Sequence, residues 1–399
     1  MRGGREGLPA PASANALALL RFPDRRTAWA VVAAATLAAP VDRLQERLAT
    51  LHRAVPMTGA RLRGETWHPG PPPEPLIVDD DPLAAPDLVA RFDLATQPPL
   101  RVVAGSRGTR LAVACHHAAF DGLSLAALLA ALVRPQDHPN DPGHVEAPQP
   151  GTGAVENQAH PTGPSATLPL RGPESRGPGL ERGNARGAPR RRAPELRGLV
   201  GRVVRPADRV AASLARPVRE VLAVAEVDLT GPGVTARLAA AAVAAAGARN
   251  ARLGRPWRRV GINLGLAGGT QGGVPGNYSR YRRVDLRAGE AVGVALDAAL
   301  ARNREPLDQV WSPRFGWVLE PLVGRFSDSL LVSNLGRREV PGATRLEFFP
   351  VARGRSAVAV GAAGLAGGPA TVSVRARDLS SEDAGALLAD LVARLEAGP

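Results

Sequence analysis

Two histidines and a carboxylate stand close together at residues 116–122, which read HHAAFDG. A neutral imidazole, with an ordinary pKa of about 6.5, can accept a proton near neutral pH. The segment ends a predicted strand and precedes a predicted helix, so the sheet would hold a histidine there in a fixed orientation. Alternation along the strand puts His116 and His117 on opposite faces, so only one can face a given cleft. Taken alone, the pair could also be buried and hydrogen-bonded without catalysing anything.

Composition narrows the chemistry available to this chain. The 399 residues are 44% hydrophobic, enough for a sizeable core and for two to three compact units. All 50 basic residues are arginine. The absence of lysine excludes Schiff-base catalysis on lysine and a Walker A phosphate loop. Acid–base catalysis is therefore left to the seven histidines and the carboxylates.

The single cysteine, Cys115, can form neither an internal disulfide nor a multi-thiolate metal site. Its apolar strand position favours a packing role, and we expect no bound metal. One cysteine suits a reducing compartment, so we expect a cytoplasmic location. The longest early apolar run, residues 29–40, is too short for a membrane span and predicts a buried strand.

The chain has a net charge of +13, and residues 135–198 form a tract rich in Pro, Gly and Arg. This tract has almost no apolar periodicity, so it predicts a long disordered linker. A nucleic-acid-binding tail is the alternative, since an Arg-rich segment can neutralise phosphates. We do not expect nucleic acid to be the main partner.

Strand and helix patterns alternate on both sides of this tract. They predict an α/β (α+β) chain with an N-terminal lobe at 1–134 and a C-terminal lobe at 199–399, each with a mixed sheet. The predicted elements that frame the chemistry are strands at 28–37, 111–117, 279–286, 329–335 and 344–349, and helices at 123–133 and 382–396.

The segment 116–122 resembles the HHxxxDG motif of the chloramphenicol-acetyltransferase-like superfamily. That superfamily includes nonribosomal peptide condensation domains, wax-ester and polyketide-associated acyltransferases, and plant acyl-CoA transferases. Residues 91–102 are similar to the "FDL…PLLR" stretch before this motif, residues 276–282 to the "VNTxxxR" strand, and residues 333–336 to an "SNLG" segment. The plant DFGWG motif is absent, because residues 315–317 (FGW) lack the preceding Asp.

The resemblance implies a fold and a set of residue roles. Two lobes of one topology would meet at a central tunnel, with His117 as the catalytic base and His116 as its structural neighbour. Asp121 would form a salt bridge with Arg282 and hold the motif loop. Gly122 would leave room for a phosphopantetheine arm, because a side chain would intrude there.

The same resemblance implies the activity. The chain would be a free-standing condensation-type acyltransferase of natural product biosynthesis, forming an ester or amide from an acyl thioester and a small-molecule acceptor. The co-substrate would be acyl-CoA or the phosphopantetheine thioester of an acyl or peptidyl carrier protein, with no permanently bound cofactor. Ser333 or Asn334 could contact the oxyanion or substrate, although a strand ending in a turn also explains that segment.

Two other functions remain open from the sequence. The chain could be a nonribosomal-peptide-type condensation enzyme that joins two carrier-bound units. It could also be a catalytically silent homologue that only binds a carrier. An enzyme that joins two carrier-bound units would not act on free acyl-CoA, whereas a CoA-dependent enzyme would. Substitution of His117 would test whether the chain is a catalytically silent homologue.

Overall fold

A computed structural model gives the structure of this chain. It describes residues 7–22, 24, 26–135, 204–215, 217, 219–266, 274–287, 289–301, 327–354 and 357–398. The predicted linker, residues 135–198, lies outside the described residues except for its first residue, as do residues 315–317.

The N-terminal lobe is built on a mixed five-stranded sheet. Its elements are β1 (Ala10–Pro11), α1 (Ala14–Leu20), β2 (Ala30–Leu37), α2 (Leu44–Ala54), β3 (Arg61–Arg63), β4 (Thr66–His68), β5 (Pro75–Val78), α3 (Pro86–Val89), β6 (Leu100–Gly105), β7 (Arg110–His116) and α4 (Gly122–Val133). Strands β2, β7, β6 and β5 are neighbours in this sheet, and β1, β4 and β3 form a separate small sheet. Strands β2 and β7 carry continuous apolar runs because both of their faces are buried.

The C-terminal lobe is built on a six-stranded sheet. Its elements are β8 (Val221–Val227), α5 (Val234–Arg252), β9 (Arg259–Leu266), β10 (Arg280–Arg287), α6 (Val292–Ala301), β11 (Leu330–Arg338), β12 (Ala343–Phe349), β13 (Val358–Leu365), β14 (Ala370–Ala376) and α7 (Ser381–Glu396). The sheet order is β10-β9-β11-β13-β14-β8, with β10 at one edge. Helix α7 begins as its sequence predicts, because the Ser380 side chain accepts from the N–H of Asp383.

Strand β12 crosses from the C-terminal part of the chain into the N-terminal sheet. It pairs antiparallel with β2, and Phe349 lies opposite Val32. The prediction that residues 199–399 form the C-terminal lobe alone is therefore wrong for this strand. A strand is assigned to a sheet by its pairing partner, and the apolar pattern of a single strand does not reveal that partner.

The crossing strand joins two hydrophobic cores, one behind each sheet. The Thr371 hydroxyl of β14 donates to the Leu346 carbonyl of β12 at 2.7 Å, and the Ser373 hydroxyl donates to the Phe348 carbonyl. A Cβ at Gly361 of β13 would stand 2.2 Å from the Phe348 carbonyl oxygen, so only glycine allows this approach. The two lobes are thus held against each other along β12.

None of the helices in the described ranges is both long enough and apolar enough to cross a membrane.

Candidate active site

His117 lies directly after β7, in the turn that leads to α4. Its main-chain N–H donates to the carbonyl of Trp29 at 2.8 Å, so the neighbouring strand β2 fixes the backbone at this point. The side chain is 5% exposed. The predicted base is therefore held at the end of a buried strand, as the sequence pattern indicates.

The contacts of the His117 ring determine which nitrogen carries the proton. Nδ1 lies 3.2 Å from the carbonyl oxygen of Phe120. Because a carbonyl can only accept, Nδ1 carries the hydrogen and donates it. In the neutral ring Nε2 therefore has a free lone pair, which can accept a proton.

That lone pair accepts a hydrogen bond from the hydroxyl of Tyr281. The two rings meet edge to face, with centroids 6.0 Å apart. Tyr281 belongs to β10 of the C-terminal lobe. The sequence alone does not reveal this contact, because 164 residues separate Tyr281 from His117 and no periodicity links them.

Burial sets the pKa values of both groups. Desolvation lowers the pKa of His117 below its ordinary value, although the nearby Asp121 carboxylate opposes this. The ring is therefore neutral at pH 7. Burial raises the pKa of Tyr281 to about 12, and the Arg353 guanidinium opposes this rise, so its phenol also stays neutral.

Asp121 connects the two lobes through main-chain groups. Its Oδ1 accepts from the N–H of Ser124 at 2.8 Å and caps α4, and its Oδ2 accepts from the N–H of Tyr278 at 3.0 Å. The predicted salt bridge with Arg282 is not among the ion pairs of the described residues. Arg282 follows Tyr281 in β10, and since Tyr281 faces His117, strand alternation points Arg282 to the other side of the sheet.

Ser124 reinforces the same contact between the lobes. Its hydroxyl hydrogen-bonds both the carbonyl and the N–H of Gly276, at 2.8 and 2.9 Å. The main-chain N–H of Asp121 also donates to the Gly276 carbonyl, at 3.0 Å. These bonds fix the segment that leads into β10, and therefore the position of Tyr281.

His116 points away from His117 and into the N-terminal lobe. Its ring packs edge to face on Phe92, with centroids 5.7 Å apart, and its Nδ1 accepts from the N–H of Ala118 at 3.1 Å. Burial, helped by the neighbouring His117 and two arginines, lowers its pKa to about 3. A ring that stays neutral and faces the core has a structural role.

Cys115 is fully buried beside the motif. Burial raises the pKa of its thiol well above the ordinary value, and Sγ lies 3.5 Å from the Phe120 carbonyl oxygen. A thiol that remains protonated is a poor nucleophile. The side chain packs in the core, as its strand position predicts.

Gly122 is required by close packing at the start of α4. A Cβ there would stand 2.8 Å from the ring of Phe348 and 2.9 Å from Leu335, two residues of the C-terminal part of the chain. The structure thus supplies a reason for glycine that the sequence does not contain. The expectation that Gly122 leaves room for a phosphopantetheine arm remains a prediction.

A small cavity of about 40 Å³ lies between the lobes at His117. His117, Gly122, Tyr281, Ser333, Asn334 and Phe348 are among the residues that line it. Residues that are far apart in the sequence therefore share one space beside the His117 ring. In the described ranges no group of three or more His, Cys, Asp or Glu side chains is placed to hold a metal.

Ser333 and Asn334 differ in what their side chains already bind. The Asn334 amide donates to the Thr235 hydroxyl at 3.3 Å and accepts from the N–H of Gly336 at 2.9 Å, so both ends are used. The Ser333 hydroxyl makes no side-chain hydrogen bond to the part of the chain that the structure describes, and it lines the cavity near Gly265. The Ser333 hydroxyl therefore keeps its donor for a substrate, and Asn334 keeps only the second hydrogen of its amide.

Comparisons with known proteins agree with the architecture. No protein-family model matches the sequence, and no curated protein matches it either. Among solved structures, the chain is similar to the first condensation domain of the calcium-dependent antibiotic synthetase in complex with a substrate analogue. Identity is 14% and the TM-score 0.56, over 98% of this chain and 96% of that one.

Two further structures match to a similar extent. One is a variant of the starter condensation domain of rhizomide synthetase RzmA in complex with C8-CoA and Leu-SNAC, with 12% identity, a TM-score of 0.55, and coverage of 98% and 94%. The other is the condensation domain that mediates chain release from the enacyloxin polyketide synthase, with 14% identity, a TM-score of 0.51, and coverage of 98% and 82%. Over nearly its whole length, this chain therefore has the two-lobed fold of the condensation domains.

Proposed function

We propose that this chain is an acyltransferase that moves an acyl group from a thioester to a hydroxyl or amine acceptor, with His117 as general base. One observation carries the proposal: a neutral, buried histidine, whose Nδ1 bonds the Phe120 carbonyl so that Nε2 is the nitrogen able to accept a proton, lines a cavity between two lobes. This is the orientation that removal of a proton from an acceptor requires. The solved structures of the same fold, one of which holds C8-CoA, point to the same class of reaction.

The reaction would proceed by addition and elimination. The acceptor atom attacks the thioester carbonyl carbon as its proton leaves toward Nε2 of His117. The tetrahedral intermediate then loses the thiolate, which takes up the proton. The Ser333 hydroxyl would donate to the oxyanion, a contribution that is often among the largest in acyl transfer, and its position in the cavity lining supports this role.

The donor is an acyl-CoA or an acyl carrier protein, both of which carry a phosphopantetheine thioester. The net charge of +13 suits either partner, since both present negative charge. The acceptor is a small molecule with an amine or a hydroxyl. We do not propose a permanently bound cofactor, because general-base catalysis at His117 needs none.

The test measures release of free thiol from a panel of acyl-CoAs and acyl carrier proteins, each incubated with amine and alcohol acceptors. Mass spectrometry of the intact product identifies what has been formed. Wild-type protein is compared with His117→Ala and with His68→Ala, which removes a histidine of the small sheet. Release that needs His117 but not His68 supports the proposal, and the active donor identifies the thioester. If no combination of donor and acceptor releases thiol, the proposed acyl transfer is contradicted, and a homologue that only binds a carrier is favoured.

A further inference from the structure

The contact between Tyr281 and His117 raises a problem for general-base catalysis. The Tyr281 hydroxyl already donates its hydrogen to Nε2, which is the atom that must take the acceptor's proton. Either the Tyr281 side chain moves away from Nε2 when the acceptor binds, or the proton is transferred to Nε2 by way of the Tyr281 hydroxyl. The surroundings of Tyr281 decide between these two routes.

Tyr281 is held in place on several sides. It pairs with Gly265 in the antiparallel ladder of β10 and β9. The segment before it is bound to the start of α4 by the hydrogen bonds of Asp121 and Ser124. The Arg353 guanidinium lies over its ring, 4.8 Å from the centroid. With the backbone held in this way, moving the side chain off His117 would also cost its contact with Arg353.

Arg353 is fixed in turn by an ion pair. It contacts a carboxylate oxygen of Asp328 at 3.0 Å, and the other oxygen of Asp328 contacts Arg283 at 3.0 Å. A fixed cation beside the ring stabilises any negative charge that develops on the phenol oxygen during a proton transfer. Its position therefore favours proton transfer through Tyr281.

We propose that Tyr281 relays the acceptor's proton to His117. The inference rests on the proposed acyl transfer. Tyr281 is among the residues that line the cavity. Its phenol oxygen accepts the proton of the attacking hydroxyl or amine while its own proton passes to Nε2. A bond forms between the acceptor atom and the carbonyl carbon. When the carbon–sulfur bond breaks, the proton returns from the imidazolium through Tyr281 to the thiolate, leaving both side chains neutral.

Kinetics of Tyr281→Phe test the relay. The variant keeps the ring under Arg353 and removes only the hydroxyl. We expect kcat to fall by about 10²-fold, the lower end of general acid–base contributions, with KM within about twofold. In the His117→Ala background, Tyr281→Phe should cause no further loss, because a relay has no effect once its base is gone.

A second measurement does not depend on turnover. Nitrogen-15 NMR of the histidine rings should show wild-type His117 with Nδ1 protonated and Nε2 as an acceptor. The Nε2 resonance should shift in Tyr281→Phe, while the His116 resonances should not. Near-UV circular dichroism of the variant verifies that it folds.

The possible outcomes separate the relay from the function on which it rests. A wild-type protein that transfers no acyl group overturns both. An active wild type with an inactive His117→Ala and a fully active or faster Tyr281→Phe overturns the relay alone. That second result would mean that the tyrosine leaves Nε2 when the acceptor binds.

Discussion

The carboxylate of Asp121 accepts a hydrogen bond from the main-chain N–H of Tyr278, 157 residues away, at 3.0 Å. The same carboxylate caps α4 through Ser124. One side chain thus fixes both the turn that carries His117 and the segment that leads to Tyr281. Its role is to position the base and its hydrogen-bond donor relative to each other.

Asp121→Ala should lower both stability and activity. It leaves two N–H donors without their partner, which costs about 1–3 kcal/mol for each buried group that stays unsatisfied. Urea denaturation measures the loss in the free energy of unfolding. Ser380→Ala is the matched control, since it removes a helix cap far from the cavity and should cost about 1 kcal/mol without changing turnover.

A double-mutant cycle of Asp121→Ala and Arg282→Ala tests the corrected contact. Because Asp121 binds main-chain groups, the coupling free energy between the two substitutions should be near zero. A coupling of about 1 kcal/mol or more would restore the salt bridge that the sequence predicted.

His116 should make the protein less stable in acid. Its pKa is about 3 in the folded state against an ordinary 6.5, so below pH 6.5 the unfolded chain binds a proton that the folded chain excludes. Stability from this group is complete above pH 6.5 and declines as the pH falls toward 3, by about 1.4 kcal/mol per pH unit.

Urea denaturation between pH 7 and pH 4 measures this slope. His116→Asn keeps an acceptor near Nδ1 and cannot take up a proton in this range, so its stability should fall less steeply with acidity. Equal slopes for the two proteins would show that His116 titrates normally and is exposed to solvent.

Gly122→Ala should be destabilising because its Cβ meets the ring of Phe348 at 2.8 Å. Overpacking of this kind costs about 1–3 kcal/mol. Phe348→Leu creates space at that point, so the double variant should recover part of the loss. Thermal denaturation of the four proteins measures the coupling, and strict additivity would mean that Gly122 is required for another reason.

Ser333→Ala should lower kcat by about 10²-fold or more if its hydroxyl donates to the oxyanion. Asn334→Ala should instead lower stability, since its amide bonds Thr235 and Gly336. Steady-state kinetics together with denaturation separate the two effects. A Ser333→Ala enzyme with wild-type kcat would remove this residue from the reaction.

Local sequence information was enough for much of the fold. The apolar runs of β2 and β7, the cap of α7 and the helix that begins at Gly122 follow from patterns that span only a few residues. The position of His117 at the end of a strand was also predictable from local sequence, because strand alternation and the glycine that follows are patterns of only a few residues.

Tertiary structure alone decided which distant groups meet. The sequence singled out His117 but not its contact with Tyr281, and it singled out Asp121 but not the bond of its carboxylate to the main chain of Tyr278. It also predicted the strand that became β12 without revealing the sheet to which it belongs. The physical reason is the same in each case: hydrogen bonds and strand pairing between segments that are far apart in the chain depend on how the lobes pack, and no short-range pattern encodes that packing.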